Sequence, residues 1–160
     1  MLKNFIAIVL LLTASSVAAD TLTQEDINCL RMNTYHEARG ESYDGQVAVV
    51  HVVLNRVKSN RYPNSVCKVV HQGRHDSAGN PIRHKCQFSW YCDGRSDKAR
   101  DIVAWNVVGM AVQEAVYLFS KGVDLTRGSM YYHTTAVKPF WARRFKRVDQ
   151  IGVHVFYIRG

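Results

Sequence analysis

The sequence predicts an α+β fold, in which a helical body carries a small antiparallel sheet. Three segments between residues 23 and 122 combine helical spacing of apolar residues with capping residues at their ends. Two segments near the C-terminus are rich in aromatic and β-branched residues, which is typical of strands. No internal repeat divides the chain, and its length suits one compact domain.

The N-terminus has the pattern of a secretory signal peptide. Lys3 precedes an apolar run over residues 5–12, and small residues follow up to Ala19. The apolar run is shorter than the roughly 20 residues that a bilayer-spanning helix needs. We therefore expect a signal peptide over residues 1–19 and a single domain over residues 20–160. The protein is expected to be exported to the periplasm or to the extracellular cell wall, without stable membrane insertion after cleavage.

The charge and the cysteine content indicate the kind of environment in which the protein acts. The formal net charge is +8, which favours polyanionic surroundings such as a bacterial envelope, a membrane surface or nucleic acid. Four cysteines in an exported chain predict two disulfides. Three pairings are open, of which Cys86 with Cys92 and Cys29 with Cys67 is the preferred one. A zinc site is the alternative, but the chain has no Cys-x-x-Cys pair.

The first predicted helix begins at Thr23, a suitable N-cap, and continues to about Arg39. Gly40 is expected to end it. Glu37 then lies in the last turn of the helix. The partial negative charge at a helix C-terminus disfavours a carboxylate there and favours the protonated side chain.

A second helix is predicted to begin after Gly45 and to reach about Ser59. Apolar residues cover nearly every side of it, which indicates a buried helix. Those at regular helical spacing are Val47, Val50, Leu54 and Val57. Its polar end contains Asn55 and Arg56.

Residues 65–93 show no sustained periodicity and predict a long cross-linked loop with at most one short helix. A third helix is predicted from Ser96, its N-cap, to Gly122.

Strands are predicted over residues 130–134 and 154–158, joined by a long connection that contains the basic run 143–147. Because side chains alternate along a strand, Tyr131 and His133 should share one face and Tyr132 should lie on the other. The helices and this small sheet together predict a lysozyme-like or transglycosylase-like arrangement.

Several runs of the sequence resemble one known family. These runs are Glu37-Ala38-Arg39-Gly40-Glu41, Gly45-Gln46-Val47-Ala48-Val49-Val50, Val53-Leu54-Asn55-Arg56-Val57, Pro63-Asn64-Ser65-Val66-Cys67, Cys86-Gln87-Phe88-Ser89-Trp90, Gly128-Ser129-Met130-Tyr131-Tyr132-His133 and Ile151-Gly152-Val153-His154-Val155-Phe156-Tyr157. They are similar to the catalytic domain of spore cortex-lytic enzymes, the SleB-type cell wall hydrolases. The resemblance extends in one order over nearly the whole exported chain.

This resemblance implies cleavage of peptidoglycan between N-acetylmuramic acid and N-acetylglucosamine, often by lytic transglycosylation, which leaves a 1,6-anhydro end. It assigns the role of general acid and base to Glu37. Lytic transglycosylation needs one carboxyl group, whereas ordinary hydrolysis needs a second one. Glu41, Asp44 and Asp93 are the candidates for the second, although Asp44 is equally suited to cap a helix and Glu41 to be a turn charge.

Sugar binding calls for aromatic rings that stack on pyranose faces and for polar groups that hold acetamido arms. The candidates are Phe88, Ser89, Trp90, Tyr131, Tyr132, His133 and Trp141. Part of this set is expected to be core, as strand aromatics usually are. The basic run 143–147 is a candidate contact for wall polyanions or an ordinary solvated surface.

Other functions remain open. A zinc-dependent amidase would act on the same polymer. His71 and His75 have the spacing of a zinc-ligand pair on a helix, but Gly73 between them disfavours a helix there. A secreted basic ribonuclease could use His36 and His133 for acid-base cleavage. A non-catalytic wall-binding module is a third possibility. We expect a monomeric glycan-cleaving enzyme with peptidoglycan as its partner, no nucleic acid, and neither a cofactor nor a metal.

Overall fold

The computed structural model describes residues 22–159, so the predicted signal peptide lies outside the described residues. Four α-helices pack together, and a three-stranded antiparallel sheet covers one side of them. The helices are α1 (Gln24–Ala38), α2 (Tyr43–Lys58), α3 (Val66–Val70) and α4 (Ile102–Ser120). The strands are β1 (Gly73–His75), β2 (Pro81–Cys86), β3 (Tyr131–Thr134), β4 (Lys146–Ile151) and β5 (His154–Ile158). Short 3-10 helices cover Ser89–Cys92 and Phe140–Arg144.

The two N-terminal helices form largely as predicted. Thr23 caps α1 through a capping box with Asp26, and α1 ends just before Gly40. The second helix starts earlier than predicted, because the Ser42 hydroxyl accepts the backbone N–H of Gly45 at 3.3 Å. Asp44 is therefore inside α2 and does not cap it. α2 is the buried central helix, as its apolar sequence predicts.

The start of α4 is not where the sequence predicts it. The N-cap is Asp101, whose Oδ1 accepts the N–H of Ala104 at 3.0 Å, and not Ser96. The segment before Asp101 instead lies against α1. There the Tyr35 hydroxyl accepts the backbone N–H groups of Arg100 and Asp101, at 3.2 and 3.0 Å. These long-range contacts replace the helical turn that local sequence favours.

The cysteine-rich segment contains the preferred disulfides, Cys29–Cys67 and Cys86–Cys92. The first joins α1 to α3, and the second joins the end of β2 to a 3-10 helix. The hairpin of β1 and β2 in this segment was not predicted, because most of its residues are exposed and show no apolar alternation. Gly73 is required at the base of the hairpin, since a Cβ there would lie 2.8 Å from the Cys86 Sγ.

The C-terminal sheet has the order β3-β5-β4, with the buried strand β5 at its centre. β3 and β5 match the predicted strands, whereas β4 was predicted to be part of a connection. Phe156 of β5 packs with Ala48 and Val52 of α2, which docks one face of the sheet onto the helical body. Tyr132 pairs with Phe156 and therefore shares this inner face.

Candidate active site

Glu37 lies in the last turn of α1, as predicted, and is partly buried where α1 meets β3. The Tyr132 hydroxyl donates a hydrogen bond to its Oε2 at 3.0 Å. Burial raises the pKa of Glu37, while this hydrogen bond and the positive charges of Arg56 and His36 oppose the increase. A raised pKa means that Glu37 is protonated more readily than an ordinary carboxyl group. The largest cause of the increase is burial, and not the helix terminus that the sequence suggested.

A cavity of about 280 Å³ opens beside Glu37. Ser89 and Trp90, two of the predicted sugar-binding residues, line it together with His36. The His36 ring stacks on the Trp90 ring at 4.7 Å with an interplanar angle of 13°. The Trp90 Nε1 donates to the Asn33 Oδ1 at 3.0 Å, so the indole is held from two sides. Trp90 is only 7% exposed and forms a fixed wall of the cavity.

Two further carboxylates, Asp93 and Asp97, line the same cavity as Glu37. Asp93 is one of the three partners considered from the sequence. Asp97 was missed because the sequence places it in the first turn of a helix. Burial raises the pKa of Asp97, and the nearby charge of Asp93 acts in the same direction, while His36 and His71 oppose it. The cavity therefore brings together three carboxyl groups, of which the sequence suggested Glu37 and Asp93 but not Asp97.

Glu41 and Asp44, the other two carboxylates suggested as partners of Glu37, do not line this cavity. The Glu41 Oε2 accepts the backbone N–H of Val153 at 3.2 Å, which ties this side chain to the turn between β4 and β5. Asp44 is exposed on the first turn of α2.

Arg56 is a site residue that sequence reasoning assigned to the solvated end of α2. The structure corrects this, because Arg56 is 5% exposed. Its guanidinium lies over the rings of Phe88 and Tyr62, at 5.1 and 5.3 Å from their centroids. Nε donates to the Met130 carbonyl at 2.9 Å, while Nη1 has no hydrogen-bond partner within residues 22–159. Its charge lowers the pKa of both Glu37 and Tyr132.

The signal that could have identified Arg56 is its position. It is the only charged residue between Asp44 and Lys58 of a helix that is otherwise apolar on nearly every side. A charged residue on a helix that is buried on nearly every side is expected to be buried too, and buried charged residues are rarely left without a partner.

The remaining predicted sugar-binding residues divide into separate groups. Phe88 is 2% exposed and packs in the core beneath Arg56, away from the cavity surface. Tyr131, His133 and Trp141 lie together on the face of the sheet opposite Tyr132, as alternation predicts. None of the three lines the Glu37 cavity.

His133 is fixed by its own neighbours. Its Nδ1 donates to the Thr134 carbonyl at 2.8 Å, and its Nε2 lies 2.9 Å from the Tyr157 hydroxyl. His36 lines the Glu37 cavity, whereas His133 lines another cavity on the outer face of the sheet. The pair required for the ribonuclease hypothesis is thus not brought into one cavity. Within residues 22–159, no three His, Cys, Asp or Glu side chains form a group that could hold a metal ion.

Known proteins are similar to this chain in sequence and in fold. The profile of a family described as "Cell Wall Hydrolase" matches residues 40–157, a range that begins after Glu37. Spore cortex-lytic enzymes from Oceanobacillus iheyensis and Bacillus subtilis are each 33% identical to the chain. These matches cover 84% of the chain but 42% and 38% of the relatives. The chain thus spans about two fifths of the length of the curated relatives it matches.

Two solved structures match the fold. The catalytic domain of the Bacillus cereus SleB protein is 29% identical, with a TM-score of 0.66, over 87% of this chain and 94% of that domain. The catalytic domain of the germination-specific lytic transglycosylase SleB from Bacillus anthracis is also 29% identical, with a TM-score of 0.64, over 87% and 98% of the two chains. These matches confirm the lysozyme-like α+β fold predicted from the sequence.

Proposed function

Because the chain belongs to the family of cell wall hydrolases, we propose that it cleaves peptidoglycan glycan strands between N-acetylmuramic acid and N-acetylglucosamine. The SleB-type family predicted from the sequence motifs is confirmed. We further propose that Glu37 is the catalytic acid and base, and that the reaction is lytic transglycosylation. The observation that supports this most strongly is the Glu37–Tyr132 pair at the edge of a cavity.

The geometry of this pair suits a proton donor. The Tyr132 hydroxyl donates its hydrogen bond to Oε2 of Glu37, so Oε1 is the oxygen that would carry the proton. Burial keeps the pKa of Tyr132 well above its ordinary value, so this hydroxyl stays protonated and remains a donor. Glu37 would give its proton to the glycosidic oxygen as the bond from that oxygen to the muramic acid C1 breaks. The hydrogen bond from Tyr132 then stabilises the new carboxylate.

The same carboxylate can complete the reaction. It would remove the proton from the 6-hydroxyl of the muramic acid, whose oxygen attacks C1 and forms the 1,6-anhydro ring. Glu37 regains its proton, so one carboxyl group serves as acid and then as base. The description of the B. anthracis relative as a lytic transglycosylase supports this assignment.

Hydrolysis is a second candidate, because Asp93 and Asp97 line the same cavity as Glu37. Either carboxylate could activate a water molecule in a two-carboxylate mechanism. The two reactions leave different ends on the glycan. Mass spectrometry of the released fragments separates them, since hydrolysis adds one water molecule per cleaved bond. The fragment with the new muramic acid end is therefore heavier by the mass of one water molecule than its anhydro form.

The test of Glu37 uses the exported chain, residues 20–160, with purified peptidoglycan. We expect Glu37→Gln to lower the rate of fragment release by about 100-fold or more, since general acid catalysis contributes factors of this order. Glu114→Gln is the matched control, because Glu114 is exposed on α4. Wild-type activity in Glu37→Gln would refute the assignment.

The proposed site of action is the periplasm or the extracellular cell wall. Two disulfides are compatible with an oxidising compartment and would be unusual in a reducing one. We also retain the proposal that a signal peptide ends at Ala19. N-terminal sequencing of the protein recovered from the exported fraction should therefore begin at Asp20.

A further inference from the structure

The outer face of the C-terminal sheet carries a second cavity, of about 350 Å³, which the proposed reaction does not use. Its floor contains His133 of β3 and Tyr157 of β5. Three cationic side chains surround it, namely Lys138, Arg143 and Arg147. No Asp or Glu lines it in the part of the chain that the structure describes. A cavity with this charge favours an anionic ligand.

A β-bulge in β4 helps to make the cavity positively charged. Arg147 lies opposite Tyr157 and Gln150 lies opposite Val155, so both share the outer face although they are three residues apart. In a regular strand, residues three apart point to opposite faces. The register shift between Arg147 and Asp149 reverses the alternation and turns both side chains toward the cavity.

The bulge also removes an acidic residue from the cavity. In a regular strand, Asp149 would share the face of Arg147 and neutralise it. Instead, Asp149 lies opposite Phe156 on the inner face. Its carboxylate lies 3.6 Å from the guanidinium of Arg127. The bulge thus places the carboxylate of Asp149 and the guanidinium of Arg147 on opposite faces of the sheet.

The cavity cations have no acidic partner. The Arg147 Nη2 donates to the neutral Gln150 Oε1 at 3.0 Å. The ion pairs found over residues 22–159 include none of the three cavity cations. Val137, Pro139 and Ala142 add apolar groups to the lining of the same cavity. This combination suits carboxylates spaced along a short apolar chain better than one compact phosphate.

We propose that this cavity binds the carboxylates of the peptide stem that peptidoglycan carries on its muramic acid. The choice of this ligand rests on the proposed function. Neighbouring residues of the edge strand β3 connect the two sites, since Tyr132 contacts Glu37 and His133 lines the cavity. An extended stem of three residues reaches about 10 Å, enough to pass over one edge strand. The glycan would then lie on one side of β3 and its peptide on the other.

The first experiment measures binding without catalysis. The probe is the free stem tripeptide L-alanyl-γ-D-glutamyl-diaminopimelate, titrated into the exported chain by calorimetry. The cavity variant combines Lys138→Gln, Arg143→Gln and Arg147→Gln. We expect it to bind the tripeptide at least tenfold more weakly than the wild type. A tripeptide with amidated carboxylates should show a loss of the same size with the wild-type protein.

The matched control removes the same charge elsewhere. It combines Lys68→Gln, Arg74→Gln and Lys121→Gln, which are exposed, lie outside the basic run 143–147 and do not line the cavity. This control should bind the tripeptide within twofold of the wild type. Equal weakening in both triple variants would overturn the proposal, because it would indicate non-specific attraction. Binding of inorganic phosphate without binding of the tripeptide would overturn it too.

The second experiment connects binding to cleavage. We expect the cavity variant to lose at least tenfold in kcat/KM on intact peptidoglycan and to match the wild type on glycan strands whose stems an amidase has removed. Equal rates on intact peptidoglycan would contradict a role for the cavity in cleavage. If the protein binds the tripeptide but Glu37→Gln cleaves normally, the catalytic assignment fails and the binding site stands. If Glu37 is required but the tripeptide does not bind, only the cavity proposal fails.

Discussion

The substitution Tyr132→Phe tests how the hydrogen bond at Glu37 sets the acidity of the site. It removes the hydroxyl that donates to Oε2 at 3.0 Å, while the phenyl ring can keep its packing against His154 and Phe156. The hydrogen bond favours the ionised form of Glu37 and lowers its pKa. Its loss therefore raises that pKa further.

The size of the effect follows from the energy of the bond. A hydrogen bond to a charged group contributes about 1.5–3 kcal/mol, and one pKa unit corresponds to about 1.36 kcal/mol. Since Glu37 is only partly buried, water can replace some of the lost contact. We expect an increase of about one unit in its pKa and a decrease of about tenfold in kcat, because the carboxylate formed after proton donation loses its donor.

The assay is the pH dependence of kcat/KM on purified peptidoglycan, which reports the essential acid and base of the free enzyme. Because the proposed reaction begins with protonated Glu37, we expect activity to fall as pH rises through the pKa of this residue. The basic limb of the profile should move about one unit higher in Tyr132→Phe. Tyr117→Phe, which changes an exposed tyrosine of α4, should leave the profile unchanged. A basic limb that stays in place or moves to lower pH would refute the reasoning.

Two further predictions concern stability. Replacing both cysteines of Cys29–Cys67, which are 38 residues apart, should lower the free energy of unfolding by about 4 kcal/mol, against about 2 kcal/mol for Cys86–Cys92, separated by six. Urea unfolding measures both, and an equal loss would contradict the chain-entropy explanation. Hydrogen bonds to Asp124 lower its pKa despite its burial, so it stabilises the fold above about pH 4 and this contribution is lost as pH falls. The stability difference between wild type and Asp124→Asn should therefore shrink on acidification, and a difference independent of pH would contradict it.

Local sequence patterns predicted the helices and strands that form mainly through interactions between residues close in the sequence. The capping box at Thr23 and the apolar periodicity of α2 identify two helices correctly. The aromatic and β-branched strands β3 and β5 were also found. In contrast, β4 is a charged edge strand with a bulge, and the hairpin of β1 and β2 is exposed on both faces. Neither has the alternation of apolar residues that reveals a strand.

The candidate site was predictable only through the family resemblance, which points to Glu37 as the proposed acid. The structure places Ser89, Trp90 and Tyr132 beside this residue. The contact of Glu37 with Tyr132 joins residues 95 positions apart, so no local pattern contains it. Arg56 was missed for a related reason, since its burial depends on rings supplied by other segments.

The position of Arg56 bears on the proposed role of Glu37 as both acid and base. Its Nε holds the Met130 carbonyl at 2.9 Å, which fixes the chain just before β3 and thereby the hydroxyl of Tyr132. Burial raises the pKa of Glu37 and favours its protonated form, whereas the charge of Arg56 and the hydroxyl of Tyr132 favour its ionised form. The two influences act on one carboxyl group from opposite directions. The proposed mechanism calls for such a balance, since Glu37 would give up a proton and recover it within one turnover, and a strong preference for either state would slow one of the two steps.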